Sequence, residues 1–222
     1  MKTPTLLLIT DISGFTRFVA QSDPEVGIAH AREMLQIIVD SNDLGLELCE
    51  IEGDAVFFYL RSGMPSFSRL LGQIRKTFGV FQAYLQRHGL SDALGIKFFV
   101  HVGECQSITV GGRKKLFGLD VIMIHRLLKG RFQSRNYVLI TRDAADILAY
   151  DGEHARKGSV LLEHIGRVDY LVLGEEVLQS SHPVIVEDES AWEQLVGTLQ
   201  LVFAELRTPF RHLFWRPLQQ AI

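Results

Sequence analysis

The sequence predicts an α+β domain, in which helices pack on a sheet, followed by a C-terminal helical extension. Leu6 to Ile9 form a short unbroken apolar run, which is typical of a strand buried on both faces. Between residues 66 and 88 the apolar side chains recur at spacings of three and four, as in a long helix that covers a sheet. We therefore assign residues 1–185 to the domain and residues 186–222 to the extension.

The extension starts with a capping box from Ser190 to Glu193, and an apolar stripe follows from Trp192 to Leu206. A stripe of this kind is normally buried, so the extension packs either on its own domain or on a second subunit. The sequence leaves both arrangements open.

Composition limits the class of protein. The chain has 222 residues, of which 47% are apolar, and its formal net charge of -3 with dispersed Lys and Arg gives no basis for binding nucleic acid in bulk. The two cysteines, Cys49 and Cys105, match no metal-binding spacing. We find neither a signal peptide nor an apolar run long enough to span a membrane, so we expect a cytoplasmic protein with free thiols and no membrane contact.

A predicted hairpin follows the first helix. Leu46 to Glu52 alternate as a strand does, which places four side chains on one side: Leu46, Leu48, Glu50 and Glu52. Gly53 and Asp54 form a tight turn into a second strand, Ala55 to Leu60. The hairpin therefore carries an acid at its tip.

The other elements follow from capping residues and periodicity. They are a helix from Pro24 to about Val39 capped by Ser22 or Asp23, strands at Ile96–Val102 and Tyr137–Thr141, a short strand or loop at Glu104–Val110, helices at Leu119–Lys129 and Arg142–Ala149, and strands at Ser159–Glu163 and Val168–Leu173. We interpret His101 as a strand residue with satisfied polar atoms, because the eight histidines lack the i, i+4 pairing of a metal-binding helix.

The end of the first strand carries the first candidate site. The strand leaves the sheet at Asp11, and Gly14 lets the backbone turn so that the following amides point toward one place. These amides belong to Ile12, Ser13, Gly14, Phe15 and Thr16. Such a turn favours an anion, and a carboxylate beside a phosphate requires a divalent cation between them. The alternative is a strand end at which Asp11 caps the next helix.

A second acid is expected beside the first. If the first strand and the hairpin are neighbours in one sheet, Asp11 and Asp54 lie side by side, since adjacent strands are about 5 Å apart. Two carboxylates at such a short distance repel each other, and a pair of Mg²⁺ or Mn²⁺ ions would relieve the repulsion.

Several motifs together resemble the class III adenylate and guanylate cyclases. They are Asp11–Thr16, Glu50–Asp54, Val102–Gly103, Leu116–Gly118 and Arg126, in the order and spacing of that family. The resemblance spans about residues 5 to 175 and is strongest to an uncharacterised bacterial branch whose helix carries a sequence like that of His125 to Lys129.

The resemblance implies a ferredoxin-like, mainly antiparallel sheet with helices on one face and two subunits that pair head to tail around their active sites. It implies a homodimer that converts a nucleoside triphosphate to a 3',5'-cyclic nucleotide and pyrophosphate, with two Mg²⁺ or Mn²⁺ ions at Asp11, Ile12 and Asp54. The amides from Ile12 to Phe15 would hold the phosphates, and Arg126 matches the family arginine that meets them.

Two positions bear on the base. Guanylate-forming members are similar in carrying an acid at the position of Glu50, where a carboxylate accepts hydrogen bonds from guanine, so the resemblance favours GTP over ATP. The alternative is that Glu50 is a solvent-facing strand residue like Glu52. Lys115 occupies the second base-contact position, where the family usually has Asp or Cys.

Other departures from the family leave a second hypothesis open. Ile122 stands where the family has an asparagine that orients the ribose, and the transition-state lysine has no clear counterpart, although Lys157 and Arg167 lie nearby in sequence. Losing one preorganised donor costs about a hundredfold to a thousandfold in rate. The chain is therefore either a cyclase or a catalytically silent domain that binds a nucleotide or a protein partner.

Overall fold

The structure is a computed structural model that describes residues 4–130 and 134–179. Its strands are β1 (Pro4–Ser13), β2 (Glu47–Glu52), β3 (Ala55–Leu60), β4 (Gly95–Glu104), β5 (Gln106–Val110), β6 (Arg113–Phe117), β7 (Tyr137–Thr141), β8 (Arg156–Leu162) and β9 (Gly166–Leu173). Its helices are α1 (Phe15–Gln21), α2 (Pro24–Asp40), α3 (Phe67–Arg87), α4 (Leu119–Leu127), α5 (Arg142–Ile147) and α6 (Glu175–Gln179). The predicted C-terminal extension, residues 186–222, lies outside the described residues.

The main sheet has the strand order β2-β3-β1-β4-β7-β9-β8, and of its strand pairs only β4 with β7 is parallel. The first four strands with α1 to α3 give the β-α-β-β-α-β arrangement of a ferredoxin-like fold. The predicted α+β class with a mainly antiparallel sheet is therefore confirmed.

Strand β1 lies in the middle of that arrangement and pairs with β3 on one side and β4 on the other. It extends to Ser13, well beyond the predicted apolar run, because the polar side chains of Thr10 and Ser13 are buried within it. Hydrogen bonds to two neighbouring strands keep these residues in the sheet despite their polarity.

Helices cover both faces of the sheet, which corrects the expectation of helices on one face. Leu8 faces α2 and α3, where it lines a small cavity with Ile38 and Ile74. Leu7 faces the other way and joins a core cluster with Ile124 of α4. The alternation of side chains along β1 therefore serves two helical layers. The candidate site lies on the α4 side.

A β-bulge in β2 changes which side chains share a face. The register shifts between Leu48 and Glu50, so that Leu48 pairs with Phe58 and Glu50 pairs with Phe57. Phe57 and Phe58 are successive residues on opposite faces of β3, so Leu48 and Glu50 also lie on opposite faces. The prediction that they share one side was wrong, because the extra residue, Cys49, inverts the alternation.

Strands β5 and β6 form a separate two-stranded hairpin, whose turn contains Gly111 and Gly112 at positive φ. The sequence predicted only a short strand or loop up to Val110. Strand β6 begins with three cationic residues that do not alternate with apolar ones, so its strand character was not visible.

Candidate functional site

The two predicted acids converge at one end of β1. Asp11 pairs across the ladder with Ala55, and the amide of Ile12 donates a hydrogen bond to the carbonyl oxygen of Asp54 at 3.3 Å. Burial raises the pKa of the Asp54 carboxyl above its ordinary value, and the negative charge of Asp11 raises that pKa further. The structure therefore places the two carboxyl groups close enough for the charge of one to affect the pKa of the other.

A lysine that sequence reasoning missed lies beside this acid pair. Lys97 pairs with Asp11 across the β1–β4 ladder, and its Nζ lies 2.5 Å from Asp11 Oδ2. Both side chains are largely buried, with 19% and 16% of their surfaces exposed. The signal was a lysine inside the apolar run from Ile96 to Val102, since buried lysines are almost always paired. One positive charge thus balances one of two negative charges.

The turn after β1 has the backbone conformation that the sequence predicted at Gly14. This residue has a φ of 83°, and a side chain there would collide with the carbonyl oxygen of Ala93. Ser13 is in the ladder, and its hydroxyl donates to the carbonyl oxygen of Arg135 at 2.7 Å. The amides of Phe15 and Thr16, in the first turn of α1, have no intrahelical acceptor. The prediction that all five amides from Ile12 to Thr16 point toward one place was wrong, because Ile12 and Ser13 still lie in β1 and the Ile12 amide bonds Asp54.

A second group of predicted residues surrounds an open pocket of about 380 Å³ between β2 and α4. Its lining consists of Glu50, Glu52, Val121, Ile122, His125, Arg126 and Lys129. Within the described part of the chain, neither Asp11 nor Asp54 belongs to this lining. The volume lies in the range typical of small-molecule sites.

The two predicted base-contact residues form an ion pair with each other. Glu50 lies on β2 and Lys115 on β6, and the Lys115 ammonium donates to the Glu50 carboxylate. The carboxylate is one-quarter exposed and the lysine nearly half exposed, and Glu50 lines the pocket. Glu50 is therefore a half-buried, paired residue and not a free surface charge.

A second ion pair holds the β5–β6 hairpin against the main sheet. Lys114 donates to the Tyr59 hydroxyl at 2.8 Å and lies 3.4 Å from the Glu47 carboxylate, to which that hydroxyl also donates. The hydrogen bond from Tyr59 lowers the pKa of the Glu47 carboxyl. Arg61 adds a 2.6 Å hydrogen bond to the Ser107 hydroxyl. These contacts fix β6, and with it the position of Lys115.

The remaining predicted cation, Arg126, projects from α4 toward the β8–β9 turn. One of its guanidinium nitrogens donates to the carbonyl oxygen of Glu163. Of the two candidates for a transition-state cation, Arg167 is engaged with Asp169 at 2.8 Å. Arg126 is the residue of this group that lines the pocket.

A buried histidine fixes the start of α4. His101 Nδ1 lies 2.7 Å from the Thr141 hydroxyl, and its Nε2 lies 3.5 Å from Asp120, which also accepts a 2.6 Å hydrogen bond from the Glu104 amide. Burial lowers the pKa of the His101 imidazole. A side chain at Gly103 would overlap both His101 and Asp120. His101 is thus a strand residue, as predicted, but the expectation that its polar atoms are satisfied was wrong, because the buried Nε2 has no hydrogen-bond partner among the described residues.

The acid pair fits a divalent cation by charge and by ligand type. Two carboxylates face one lysine, which leaves one negative charge to be balanced. No cluster of three or more His, Cys, Asp or Glu side chains occurs in the described residues. Mg²⁺ needs no such cluster, since it binds through one or two carboxylates and takes its other ligands from water and substrate phosphates.

Comparison with known proteins identifies two kinds of relative. A family model described as "Protein of unknown function (DUF2652)" matches residues 31–137. The uncharacterized protein Rv2561/Rv2562 of Mycobacterium tuberculosis is 29% identical over 174 residues, which cover 71% of this chain and 78% of that one.

Solved structures show the same fold at low sequence identity. The adenylyl cyclase CyaB from P. aeruginosa superposes with a TM-score of 0.61 and 16% identity, over 83% of this chain and 98% of that one. The guanylate cyclase domain of RhGC from Catenaria anguillulae was solved in complex with GTP. It gives a TM-score of 0.57 and 10% identity, over 78% of this chain and 97% of that one. The chain therefore has the fold of a class III cyclase catalytic domain.

No helix among the described residues is long and apolar enough to cross a membrane.

Proposed function

We propose that this chain is a nucleotide cyclase that binds GTP between two copies of itself and converts it to a 3',5'-cyclic nucleotide and pyrophosphate. The observation that carries the proposal is the convergence of two acids from distant parts of the chain. Asp11 and Asp54 share one end of the sheet, and the repulsion between them is only partly balanced by Lys97. A site that holds excess negative charge in a half-buried position is suited to a cation that binds phosphate.

Two Mg²⁺ or Mn²⁺ ions on Asp11, Asp54 and the backbone of Ile12 would lower the pKa of the ribose 3'-hydroxyl and neutralise charge on the α-phosphate. The protein's part is to orient the nucleotide. Phe15 and Thr16 offer first-turn amides near the acids, and Arg126 offers a guanidinium from the pocket.

The pair Glu50 and Lys115 supports guanine as the base. A guanine edge presents a carbonyl acceptor beside two N–H donors, so Lys115 would donate to O6 while Glu50 accepts from N1 and the 2-amino group. Adenine presents the opposite pattern at its N1 and N6 positions. In the same orientation it would pair with neither charge, so adenine would not compensate for separating Glu50 from Lys115.

The separation of the two residue groups supports a dimeric site. Glu50 and Arg126 line the pocket, whereas the acid pair is not part of its lining in the described residues. A two-fold dimer would bring the acids of one copy to the pocket of the other, and it would do so twice. The nucleoside triphosphate and the second copy are thus the proposed partners.

The direct test is incubation of the purified protein with each of the four nucleoside triphosphates and Mn²⁺, followed by chromatography for cyclic products. We expect cyclic GMP as the main product and its loss in Asp54→Asn. Asp146→Asn is the matched control, because Asp146 is an exposed acid that pairs with Arg142 on α5. Absence of product from all four substrates, or undiminished product from Asp54→Asn, would refute the proposed reaction.

A second candidate is a catalytically silent domain that binds the nucleotide without turnover. It is favoured by Ile122, an apolar residue in the pocket where a ribose-orienting asparagine is expected, and by Lys97, which already pairs with one acid. A ligand present at a hundred times its Kd stabilises a protein by about 2.7 kcal/mol. A thermal shift with GTP and Mn²⁺ but no product would identify this candidate, and no shift would contradict both.

A further inference from the structure

One polar side chain in the pocket has no role in the proposal above. His125 lies on α4 next to Arg126 and three residues after Ile122, Lys129 follows in the turn after this helix, and all four line the pocket. The rings of His125 and Phe57 pack nearly perpendicular to each other, with ring centroids 5.2 Å apart. This contact helps to fix the orientation of the His125 ring.

Both ring nitrogens of His125 are available to a ligand. Among the described residues, neither nitrogen makes a hydrogen bond within the structure, although the side chain is only partly exposed. Because the ring lines an open pocket, a bound molecule that displaces water from it can pair with these nitrogens in place of the water.

The charge state of His125 determines what it can recognise. Burial lowers the pKa of its imidazole, Glu52 opposes that effect, and Lys115 and Lys129 add to it. Glu50 and Arg126 complete the charged groups of the lining. A neutral imidazole offers one donor and one acceptor. The other side chains of this lining are either charged or apolar.

The neighbours of His125 place it between the two ends of a nucleotide. Lys115, which acts on it from β6, belongs to the pair that would read the base, and Lys129, which acts on it from the turn after α4, extends the cationic side together with Arg126. In a nucleotide the group between base and phosphates is the ribose. Its hydroxyls are neutral and act as donor and acceptor, which matches a neutral imidazole.

We propose that His125 binds a ribose hydroxyl of the nucleotide and so takes over the contact that Ile122 cannot make. This inference rests on the proposed nucleotide site. His125 is a specificity-determining residue, because it distinguishes a ribonucleotide from its deoxy analogue.

The test combines a change in the protein with a change in the ligand. Affinities of the full chain are measured by calorimetry, with Mn²⁺, for the α,β-methylene analogue of GTP and for its 2'-deoxy and 3'-deoxy forms. His125→Phe keeps the ring against Phe57 and removes both nitrogens. It should weaken binding of the ribonucleotide about twofold to tenfold, as expected for one hydrogen bond.

The deciding quantity is the affinity ratio of the ribo form to each deoxy form. The wild type should show a ratio well above one for whichever hydroxyl His125 contacts, and His125→Phe should bring that ratio close to one. His125→Asn, which keeps a donor and an acceptor, should recover part of it. His88→Phe is the matched control, since the same substitution at the C-terminus of α3 should leave the ratio unchanged.

An equal ratio in the wild type and His125→Phe, with binding intact, would overturn the inference but leave the proposed nucleotide site standing. A wild type that binds none of the analogues would overturn the nucleotide site and this inference with it. A melting temperature of His125→Phe equal to that of the wild type would confirm that the change in ratio is not caused by misfolding.

Discussion

Single side chains at the acid pair have consequences for stability as well as for chemistry. The raised pKa of Asp54 means that the native state holds this proton up to a higher pH than the unfolded chain does. Stability therefore falls as the pH rises through the range between the ordinary and the raised pKa, and ionised Asp54 destabilises the fold at neutral pH.

We expect Asp54→Asn to raise the melting temperature at neutral pH, because it removes a half-buried charge next to Asp11. The advantage over the wild type should shrink as the pH falls through the raised pKa and disappear below 3.8, the ordinary pKa, because Asp54 is then protonated in both states. Calorimetric scans from neutral pH downward measure the difference. Asp146→Asn should show no such gain, and a lower melting temperature for Asp54→Asn at neutral pH would contradict the repulsion.

Ile122 is the residue at which the pocket departs most from the expected nucleotide contacts. Its side chain is 43% exposed, so replacing it with a polar residue costs little in burial. If turnover is limited by the missing donor, Ile122→Asn should raise kcat by up to about a hundredfold to a thousandfold. The same exchange at Ile147, which is 51% exposed on α5, is the control.

Steady-state kinetics with GTP and Mn²⁺ measure this gain. An unchanged kcat in folded Ile122→Asn would show that the missing donor does not limit the reaction. If neither the wild type nor Ile122→Asn gives product, the result supports the catalytically silent domain.

Strands β2 and β6 face each other with opposite charges, and their pairing makes a prediction about the base. Glu50→Lys combined with Lys115→Glu inverts the donor and acceptor positions while keeping the ion pair. We expect the double variant to prefer ATP over GTP, and each single variant to lose affinity for both because two like charges then meet. Competition between the two nucleotides measures the preference.

The control for the base prediction lies on the same two strands. Glu47→Lys with Lys114→Glu inverts the neighbouring ion pair, which holds the hairpin but does not line the pocket. Its base preference should remain that of the wild type. If it changes as much as in the Glu50 and Lys115 double variant, the effect comes from displacement of the hairpin and not from base contacts.

The helices and strands show which parts of the fold could be predicted from the sequence. Helix α3 was predicted within one residue at each end, because its apolar period is regular and Ser66 caps it. The bulge at Cys49 and strand β6 were missed, since a bulge leaves no mark on composition and a solvent-facing strand need not alternate. Both misses affect the pocket, because the bulge orients Glu50 and β6 carries Lys115.

The candidate site could be predicted from the sequence where a motif specified both the residue type and its position. The proximity of Asp11 and Asp54 followed from strand adjacency, and the pairing of β1 with β3 confirms that adjacency. Lys97 and His125 were missed, because their relevance depends on which neighbours the fold supplies. A lysine becomes part of the acid site only once β4 is known to pair with β1.

At the scale of the whole molecule, the proposed dimer makes a prediction for mixtures of variants. Asp54→Asn impairs the acid pair and Arg126→Ala impairs the pocket, so a homodimer of either has no intact site. In an equal mixture half of the dimers are mixed, and each of these has one intact site of two, so about one quarter of wild-type activity should return.

Cyclic product from the separate and the mixed variants measures this recovery. Mixing Asp54→Asn with Asp11→Asn is the control, because both changes lie in the same half of the site and no dimer then has an intact acid pair. Failure of the first mixture to recover activity, with stable dimers in solution, would contradict sites shared between two copies.

The contact between Glu50 and Lys115 also determines how the protein behaves before any nucleotide arrives. Each charge satisfies the other, so this pair by itself attracts free phosphate or stray metal ions only weakly. A ligand must separate the two charges, and it can keep them apart only if it pairs with the carboxylate and with the ammonium group at the same time. This end of the groove should therefore hold no small anion until a ligand that pairs with both charges enters, and separating the two charges weakens the binding of that ligand.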